Sequence, residues 1–218
     1  APAGNLPVTW TLTAQSAPLY IPGGWDTGPY DAAWLSFYPS MGGYGTYIGQ
    51  GEGMTAPDGT LRISIPAADL AALKPDQRSI LSLEVTAADE SGYPVSARAE
   101  TIFHPASFYA GVRAEAWGVQ AGSELGFSIQ TVDWQVQPSG NHDLSAVFSK
   151  VRWVQVDPPG GVGEPTYEKE VTPVASTNLR TDGLGRARVV FTPPDPGVYE
   201  LAVSGEGAYT SVLAWVGG

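Results

Sequence analysis

The chain has 218 residues, of which 11 are Lys or Arg and 22 are Asp or Glu, and the resulting net charge of -11 would repel a nucleic-acid backbone or an anionic membrane surface. Hydrophobic residues make up 43% of the chain, which excludes a disordered protein, and no apolar run approaches the roughly 18 residues that span a bilayer. There is no cysteine, which excludes disulfides, cysteine nucleophiles and thiolate metal sites.

Short strands joined by tight turns are predicted along most of the chain. Runs of alternating or β-branched residues have strand length and are bounded by Gly, Pro or Asp. One stretch, residues 66–74, predicts a helix of one or two turns that ends at Pro75. The predicted strands cover residues 8–13, 61–65, 80–87, 98–103, 126–132, 151–156, 188–192, 199–203 and 211–216.

This pattern favours an all-β fold built from antiparallel β-sandwiches of the immunoglobulin or fibronectin type. The chain also resembles itself. Residues 8–13 are similar to residues 151–156, and Trp10 and Trp153 stand at matching positions, where we expect each to anchor a core. The sequence therefore predicts two tandem copies of one sandwich.

A second match adds a difference in length between the copies. Residues 58–65 resemble residues 182–191, with Asp58 opposite Asp182 at a strand-connecting turn. The two tryptophans are 143 positions apart, whereas these two aspartates are 124 apart. Copy one therefore carries 19 more residues than copy two between these landmarks.

The copies also differ at their beginnings. Residues 106–150 precede the tryptophan strand of copy two, whereas only seven residues precede that of copy one. Two strands thus lack a counterpart, so we predict that the first sandwich is truncated at its N-terminus, with an open edge or a need for another segment to complete it. Because Pro105 cannot donate to a continuing ladder, the predicted domains are residues 1–105 and 106–218.

Patterns for catalysis and metal binding are scarce. No nucleophile or metal motif accompanies the two histidines, and we expect His104 to pack half-exposed at a strand end and His142 to lie at a loop tip. Asp133, Asp143 and Glu164 lie in or near loops, but nothing fixes their spacing as a glycosidase requires. The sequence predicts no enzymatic activity, no metal site and no cofactor.

One segment is suited to contact a partner. Residues 20–47 hold eight aromatic side chains among many glycines, with only Asp26 and Asp31 charged. Such a loop can stack on sugars or bury against another protein, and the alternative, which we favour, is that it covers the core and the vacant edge of its own sandwich. The candidate contact residues are Trp25, Tyr30, Trp34, Phe37, Tyr38, Tyr44 and Tyr47.

Several stretches resemble a known family. Residues 101–112, TIFHPASFYAGV, look like the junction between successive macroglobulin domains of bacterial alpha-2-macroglobulins, where a strand ending in His-Pro-Ala is followed by Phe-Tyr, a small residue and Gly. Residues 92–96 are similar to the family's Gly-x-x-Val-Ser turn. The later strands of the next domain resemble residues 167–170, 192–199 and 214–218.

The resemblance implies two consecutive macroglobulin domains from upstream of the bait region of a large secreted or periplasmic bacterial inhibitor. In that family a protease cuts the bait region, the molecule collapses around the protease, and in many members a Cys-Glx thioester captures it. This chain has no cysteine and so holds no thioester. The resemblance implies a non-enzymatic scaffold in the periplasm, cell envelope or exterior, whose partners are the other domains of the parent protein and, through the full-length protein, target proteases.

Two other functions stay open at this point. The aromatic residues 20–47 could form a carbohydrate-binding or adhesion module. The open edge of copy one could instead accept a strand from another chain, as in a structural or oligomerisation module.

Overall fold

The computed structural model describes residues 4–30, 45–70, 73, 78–88, 92–156 and 166–218, which form twelve β-strands and one short helix. The prediction of an all-β fold with antiparallel sheets is confirmed. The strands are β1 (Pro7–Ser16), β2 (Thr46–Met54), β3 (Ser79–Ala88), β4 (Pro94–Phe103), β5 (Tyr109–Ala114), β6 (Gly118–Gln120), β7 (Leu125–Val132), β8 (Asp143–Val156), β9 (Thr166–Arg180), β10 (Arg186–Phe191), β11 (Gly197–Gly205) and β12 (Ala208–Gly217), and the helix is α1 (Ala67–Leu70).

The chain divides into two compact units, and one segment from the first half of the sequence belongs to the second unit. Unit 1 comprises residues 1–18 and 31–105, and unit 2 comprises residues 19–30 and 106–218. Residues 19–30 therefore belong to unit 2, although they lie between β1 and β2 of unit 1 in the sequence. We call residues 19–30 the strap.

Unit 1 contains one antiparallel sheet in the order β2-β1-β3-β4. Burial alternates along β1, where Val8, Leu12 and Ala14 are buried, as the two-residue period of a half-buried strand requires. Leu12 and Ala14 pack with Ile48 of β2 and with Leu73, which follows α1. The helix is shorter than predicted, and Lys74 and Pro75 lie outside the described residues.

Unit 2 is a two-sheet sandwich. One sheet has the order β10-β7-β5 and the other the order β6-β12-β11-β8-β9, and every pairing is antiparallel except that of β6 with β12. Side chains from both sheets form one core, in which the ring of Phe148 lies 4.6 Å from that of Phe191 and 5.9 Å from that of Phe127. This is the immunoglobulin-like arrangement that the strand spacing predicts.

The two units share a strand order, which confirms the internal repeat. In unit 1, β1 pairs with β2 on one side and with β3 on the other, and β3 forms a hairpin with β4, which gives the order β2-β1-β3-β4. Unit 2 repeats this as β9-β8-β11-β12 with the same antiparallel directions. The three-stranded sheet of unit 2 has no counterpart among the described strands of unit 1, as expected from the two strands missing before copy one.

A pair of equivalent turns fixes the alignment of the residues around them. In unit 1 the amide of Ala56 donates to the carbonyl of Thr60, and the amide of Gly59 donates back to Ala56. In unit 2 the amide of Asp182 donates to the carbonyl of Arg186, and that of Gly185 donates back to Asp182. Gly59 and Gly185 both have positive φ, 82° and 77°. The predicted match of Asp58 with Asp182 is therefore wrong by two residues, whereas the match of the runs that follow is correct.

Two predictions about individual residues fail for reasons of strand pairing. Residues 61–65 are not a strand, because no described strand of unit 1 pairs with them through backbone hydrogen bonds. Trp153 does not anchor a core, since 44% of it is exposed. The pairing of β8 with β11 ends at Val151. Trp153 lies beyond this point, where β8 pairs with β9 alone.

Candidate functional site

The strap adds backbone hydrogen bonds to both sheets of unit 2. Asp26 and Val112 of β5 exchange two backbone hydrogen bonds of 2.9 Å, as an antiparallel pair does. Two residues later, the carbonyl of Gly28 accepts from the amide of Ser211 on β12 at 3.0 Å. The strap thus pairs with β5, the edge of one sheet, and with β12 of the other, so that it covers unpaired backbone at the margin of the sandwich.

Two buried hydroxyl groups on β12 accept hydrogen bonds from backbone amides of the strap. Thr210 is 1% exposed, and its hydroxyl donates to the carbonyl of Ala110 while accepting from the amide of Gly28 at 3.1 Å. The hydroxyl of Ser211, which is 2% exposed, accepts from the amide of Tyr30 at 3.1 Å. These side chains give hydrogen-bond partners to two partly buried backbone amides of the strap.

Apolar contacts beneath the strap depend on a glycine. Ile21 is buried together with Tyr109 and Val132. A Cβ atom on Gly111 of β5 would lie 2.9 Å from Cδ1 of Ile21 and 3.2 Å from Cβ of Trp25. Gly111 therefore permits the close approach of the strap. Tyr109 and Gly111 of the Phe-Tyr-small-Gly motif at residues 108–111 thus belong to the surface on which the strap packs.

Each of the two described candidate aromatics in the strap meets a cation of unit 2. The guanidinium of Arg113 lies 4.7 Å from the ring centre of Trp25, and its Nη1 donates to the carbonyl of Gly23 at 3.0 Å. Nζ of Lys169 lies 4.3 Å from the ring centre of Tyr30. Such cation–π contacts contribute about 0.5–1 kcal/mol at exposed sites.

Charge within the strap site is only partly compensated. Lys169 also forms an ion pair with Glu200, which is 5% exposed. The carboxyl of Asp26, in contrast, forms no ion pair with any residue in the described ranges, and desolvation raises its pKa above the ordinary value. The docked strap therefore favours the protonated form of Asp26.

The predicted contact residues do not all lie together. Trp25 and Tyr30 are in the strap on unit 2, whereas Tyr47 is in β2 of unit 1 and is 55% exposed. The remaining four lie outside the described residues: Trp34, Phe37, Tyr38 and Tyr44.

His142 is more buried than a loop tip would be. Its ring stacks on Phe108 at 3.7 Å, and Nε2 lies 2.8 Å from Oγ of Ser139. Nδ1 is 3.7 Å from the carboxylate of Glu206, which is too far for the hydrogen bond that orients a catalytic histidine. The adjacent amides of Asn141 and His142 already donate within unit 2, so they cannot stabilise an oxyanion.

The loop carboxylates also have local structural partners. Asp133 accepts from the amides of Gln135 and Gln137, and Asp143 pairs with Arg180. Glu164 lies outside the described residues. Within the described ranges, no three or more His, Cys, Asp or Glu residues are grouped as a metal site. None of the helices in that part of the chain has the length and apolar character needed to cross a membrane.

Comparison with solved structures shows which proteins share this arrangement. The chain is similar over 100% of its length to the native conformation of Escherichia coli alpha-2-macroglobulin, with a TM-score of 0.65 and 17% identity. The trypsin-activated form from the same organism gives 0.64 and 18%, again over 100% of this chain, and Salmonella alpha-2-macroglobulin reacted with methylamine gives 0.56 and 16% over 100%. No protein-family model and no curated protein sequence matches the chain.

The chain has the fold of a macroglobulin segment. It spans 14% of each of the two Escherichia coli chains and 15% of the Salmonella chain, so it corresponds to a small part of those molecules. The resemblance carried by residues 101–112 is confirmed at the level of fold. In this macroglobulin-like segment the strap is the feature that sequence analysis does not anticipate.

Proposed function

We propose that this chain is a non-enzymatic scaffold segment of a bacterial alpha-2-macroglobulin-like protease inhibitor. The observation that carries the proposal is the similarity of the entire chain, through both units, to alpha-2-macroglobulin structures. A match restricted to one immunoglobulin-like sandwich would be shared with many unrelated proteins. A match that extends through two consecutive units is more specific.

In this proposal the other domains of the parent protein are the direct partners, and target proteases engage the full-length molecule in the periplasm or outside the cell. The strap suits a scaffold role. Because residues 19–30 belong to unit 2, the chain passes between the units at residues 18–19, 30–31 and 105–106, instead of once. Three covalent connections therefore join the two units, in place of one.

The test uses the full-length protein that contains this segment. The protein is exposed to an active endopeptidase, and its migration on a native gel is compared with that of the untreated protein. The captured protease is then assayed with a large protein substrate and with a small chromogenic peptide. We expect a change in migration and selective loss of activity on the large substrate, because a trapped protease remains open to small molecules.

Two controls sharpen this test. The 218-residue chain alone should neither inhibit the protease nor change its size selectivity. A catalytically inactive form of the protease should leave the migration of the full-length protein unchanged. If the active protease keeps full activity on the large substrate and the migration does not change, the proposed function is wrong.

A further inference from the structure

One face of the sheet in unit 1 is covered by polar side chains. Leu12 and Ala14 of β1 belong to the core, so Thr11 and Thr13, which alternate with them, lie on the opposite face. Side chains directly opposite each other on neighbouring strands lie about 4.5–5.5 Å apart at Cβ, so a row of them can contact one ligand. Strand pairing forms two such rows across β1, β3 and β4, which are Thr11–Glu84–Arg98 and Thr13–Ser82–Glu100.

The two rows border a depression of about 450 Å³, which we call the unit 1 groove. Its floor has the short, half-buried side chains of Thr11, Thr13 and Ser82, and its walls have longer, exposed ones: Gln15, Glu84, Arg98 and Glu100. Small-molecule sites of about 300–1,000 Å³ are usually lined by apolar side chains, whereas every described residue that lines this groove is polar. The unit 1 groove therefore suits a ligand rich in hydroxyl groups.

The unit 1 groove offers both donors and acceptors to such a ligand. The hydroxyls of Thr11 and Thr13 can donate or accept, and they have no partner among the residues that the structure describes. The guanidinium of Arg98 donates to Glu84 at 2.8 Å and keeps further N–H groups for a ligand. Thr11 and Thr13 are two residues apart on one strand, about 6.8 Å, which is comparable with the length of a sugar ring.

Charge indicates which kind of sugar fits. Arg98 is already paired with Glu84. Glu100 accepts a hydrogen bond of 3.1 Å from the hydroxyl of Ser82, and within the described part of the chain it forms no ion pair. Two carboxylates and one guanidinium leave the unit 1 groove with one net negative charge. The groove is therefore complementary to a cationic ligand and repels an acidic sugar.

We propose that the unit 1 groove binds a short oligosaccharide that carries a free amino group. The protonated amine lies against Glu100, and ring hydroxyls form hydrogen bonds with Thr11 and Thr13. Tyr47 of β2 pairs with Thr13 and is 55% exposed, so it extends the second row and gives a further sugar ring an aromatic surface. This site does not include the strap, and it does not depend on the proposed inhibitor function.

The probe is the trimer of glucosamine, titrated into the full chain by calorimetry, with backbone amide NMR shifts to locate the bound trimer. Three matched compounds separate the contributions. The N-acetylated trimer keeps the hydroxyls without the charge, spermidine has the charge without hydroxyls, and the trimer of galacturonic acid reverses the charge. We expect saturable binding of the glucosamine trimer with shifts in β1, β3 and β4, and at least roughly tenfold weaker binding of each matched compound.

Two substitutions assign the contacts. Glu100→Gln removes the charge and keeps the shape, so it should weaken binding of the glucosamine trimer roughly tenfold and leave the N-acetylated trimer unaffected. Thr11→Val removes a hydroxyl and should weaken binding of both sugars. Glu168→Gln makes the same charge change at an exposed position of β9 and should alter neither affinity.

Three kinds of result would overturn the proposal. One is that no amide of β1, β3 or β4 shifts at millimolar concentrations of the glucosamine trimer. Another is that any of the three matched compounds binds as tightly as the glucosamine trimer, since the groove would then not recognise hydroxyls and an amine together. The third is that Glu100→Gln binds the glucosamine trimer as tightly as the unaltered chain does, or no more weakly than Glu168→Gln.

Discussion

Replacing Thr210 with valine removes one hydroxyl that serves two backbone groups while keeping the shape of the side chain. The carbonyl of Ala110, which is 1% exposed, would lose its donor, and the amide of Gly28 would lose its acceptor. A buried polar group left without a partner costs about 1–3 kcal/mol. Because the Gly28 amide is only partly buried and can turn to water, we expect a total of about 2–4 kcal/mol.

Two measurements report this change. For a unit of this size, each kcal/mol lowers the melting temperature by a few degrees, so thermal unfolding of the full chain should show a loss of roughly 10 °C in the transition of unit 2. Amide hydrogen exchange should show faster exchange at Asp26, Gly28 and Tyr30, since these amides bond to unit 2. Protection in the core strands β7 and β11 should fall less.

The matched control is Thr210→Ser, which keeps the hydroxyl but loses a methyl group. It should retain protection of the strap amides even if cavity formation lowers the melting temperature. If Thr210→Val leaves strap exchange the same as in the unaltered chain, or if Thr210→Ser accelerates it equally, the hydroxyl does not hold the strap and the reasoning is wrong.

Three further predictions concern the strap and the cores. Gly111→Ala should accelerate hydrogen exchange of the strap amides, because the added Cβ atom would lie 2.9 Å from Cδ1 of Ile21. The control, Ala110→Gly on the same strand, should not displace the strap. Equal exchange in Gly111→Ala and the unaltered chain would contradict the contact. Asp26→Asn should raise the melting temperature at neutral pH. Because the pKa of Asp26 is raised in the folded state, the stability that its carboxyl contributes is complete below the ordinary pKa of 3.8 and is lost as pH rises through the folded-state pKa, so the gain from asparagine should disappear in acid. Asp58→Asn should instead lower the melting temperature at neutral pH, because hydrogen bonds from Thr60 lower the pKa of Asp58. Phe148→Ala should lower the free energy of unfolding, measured with denaturant, by about 3–5 kcal/mol, whereas Trp153→Ala should lower it much less because Trp153 is 44% exposed. A comparable loss of stability from both substitutions would show that Trp153 supports a core.

Strands with a regular alternation of residue types could be predicted from the sequence, including the edge strands β4 and β10, whereas the edge strands β2 and β9 could not. Alternation along β1, β7 and β11 reflects burial on one side, so the prediction succeeds there. β9 is exposed along nearly its whole length, and its sequence TYEKEVTPVASTNLR shows no two-residue period. β2, TYIGQGEGM, is rich in glycine and was missed for a related reason, since glycine carries no burial signal.

For the strap, the sequence indicates the inserted segment but not the surface that this segment contacts. The greater length of copy one between its tryptophan strand and the turn at Gly59 indicates an insertion in the right place, and the aromatic content indicates a contact surface. Which surface is contacted depends on groups far away in sequence, above all Gly111, Thr210 and Lys169. Of these, only Gly111 has a local signal, because it closes the Phe-Tyr-small-Gly motif.

The exchange of residues 19–30 between the units has a consequence for how such modules can be inherited or recombined. A gene fragment that begins at the codon for Ala106 would encode the second sandwich without the strap, which leaves the backbone of β5 unpaired at that margin. The preceding fragment would keep residues 19–30 without the sandwich on which they pack. Shuffling of neighbouring modules would therefore conserve them as a pair. Chimeras intended to transplant the second sandwich should bring the strap with it.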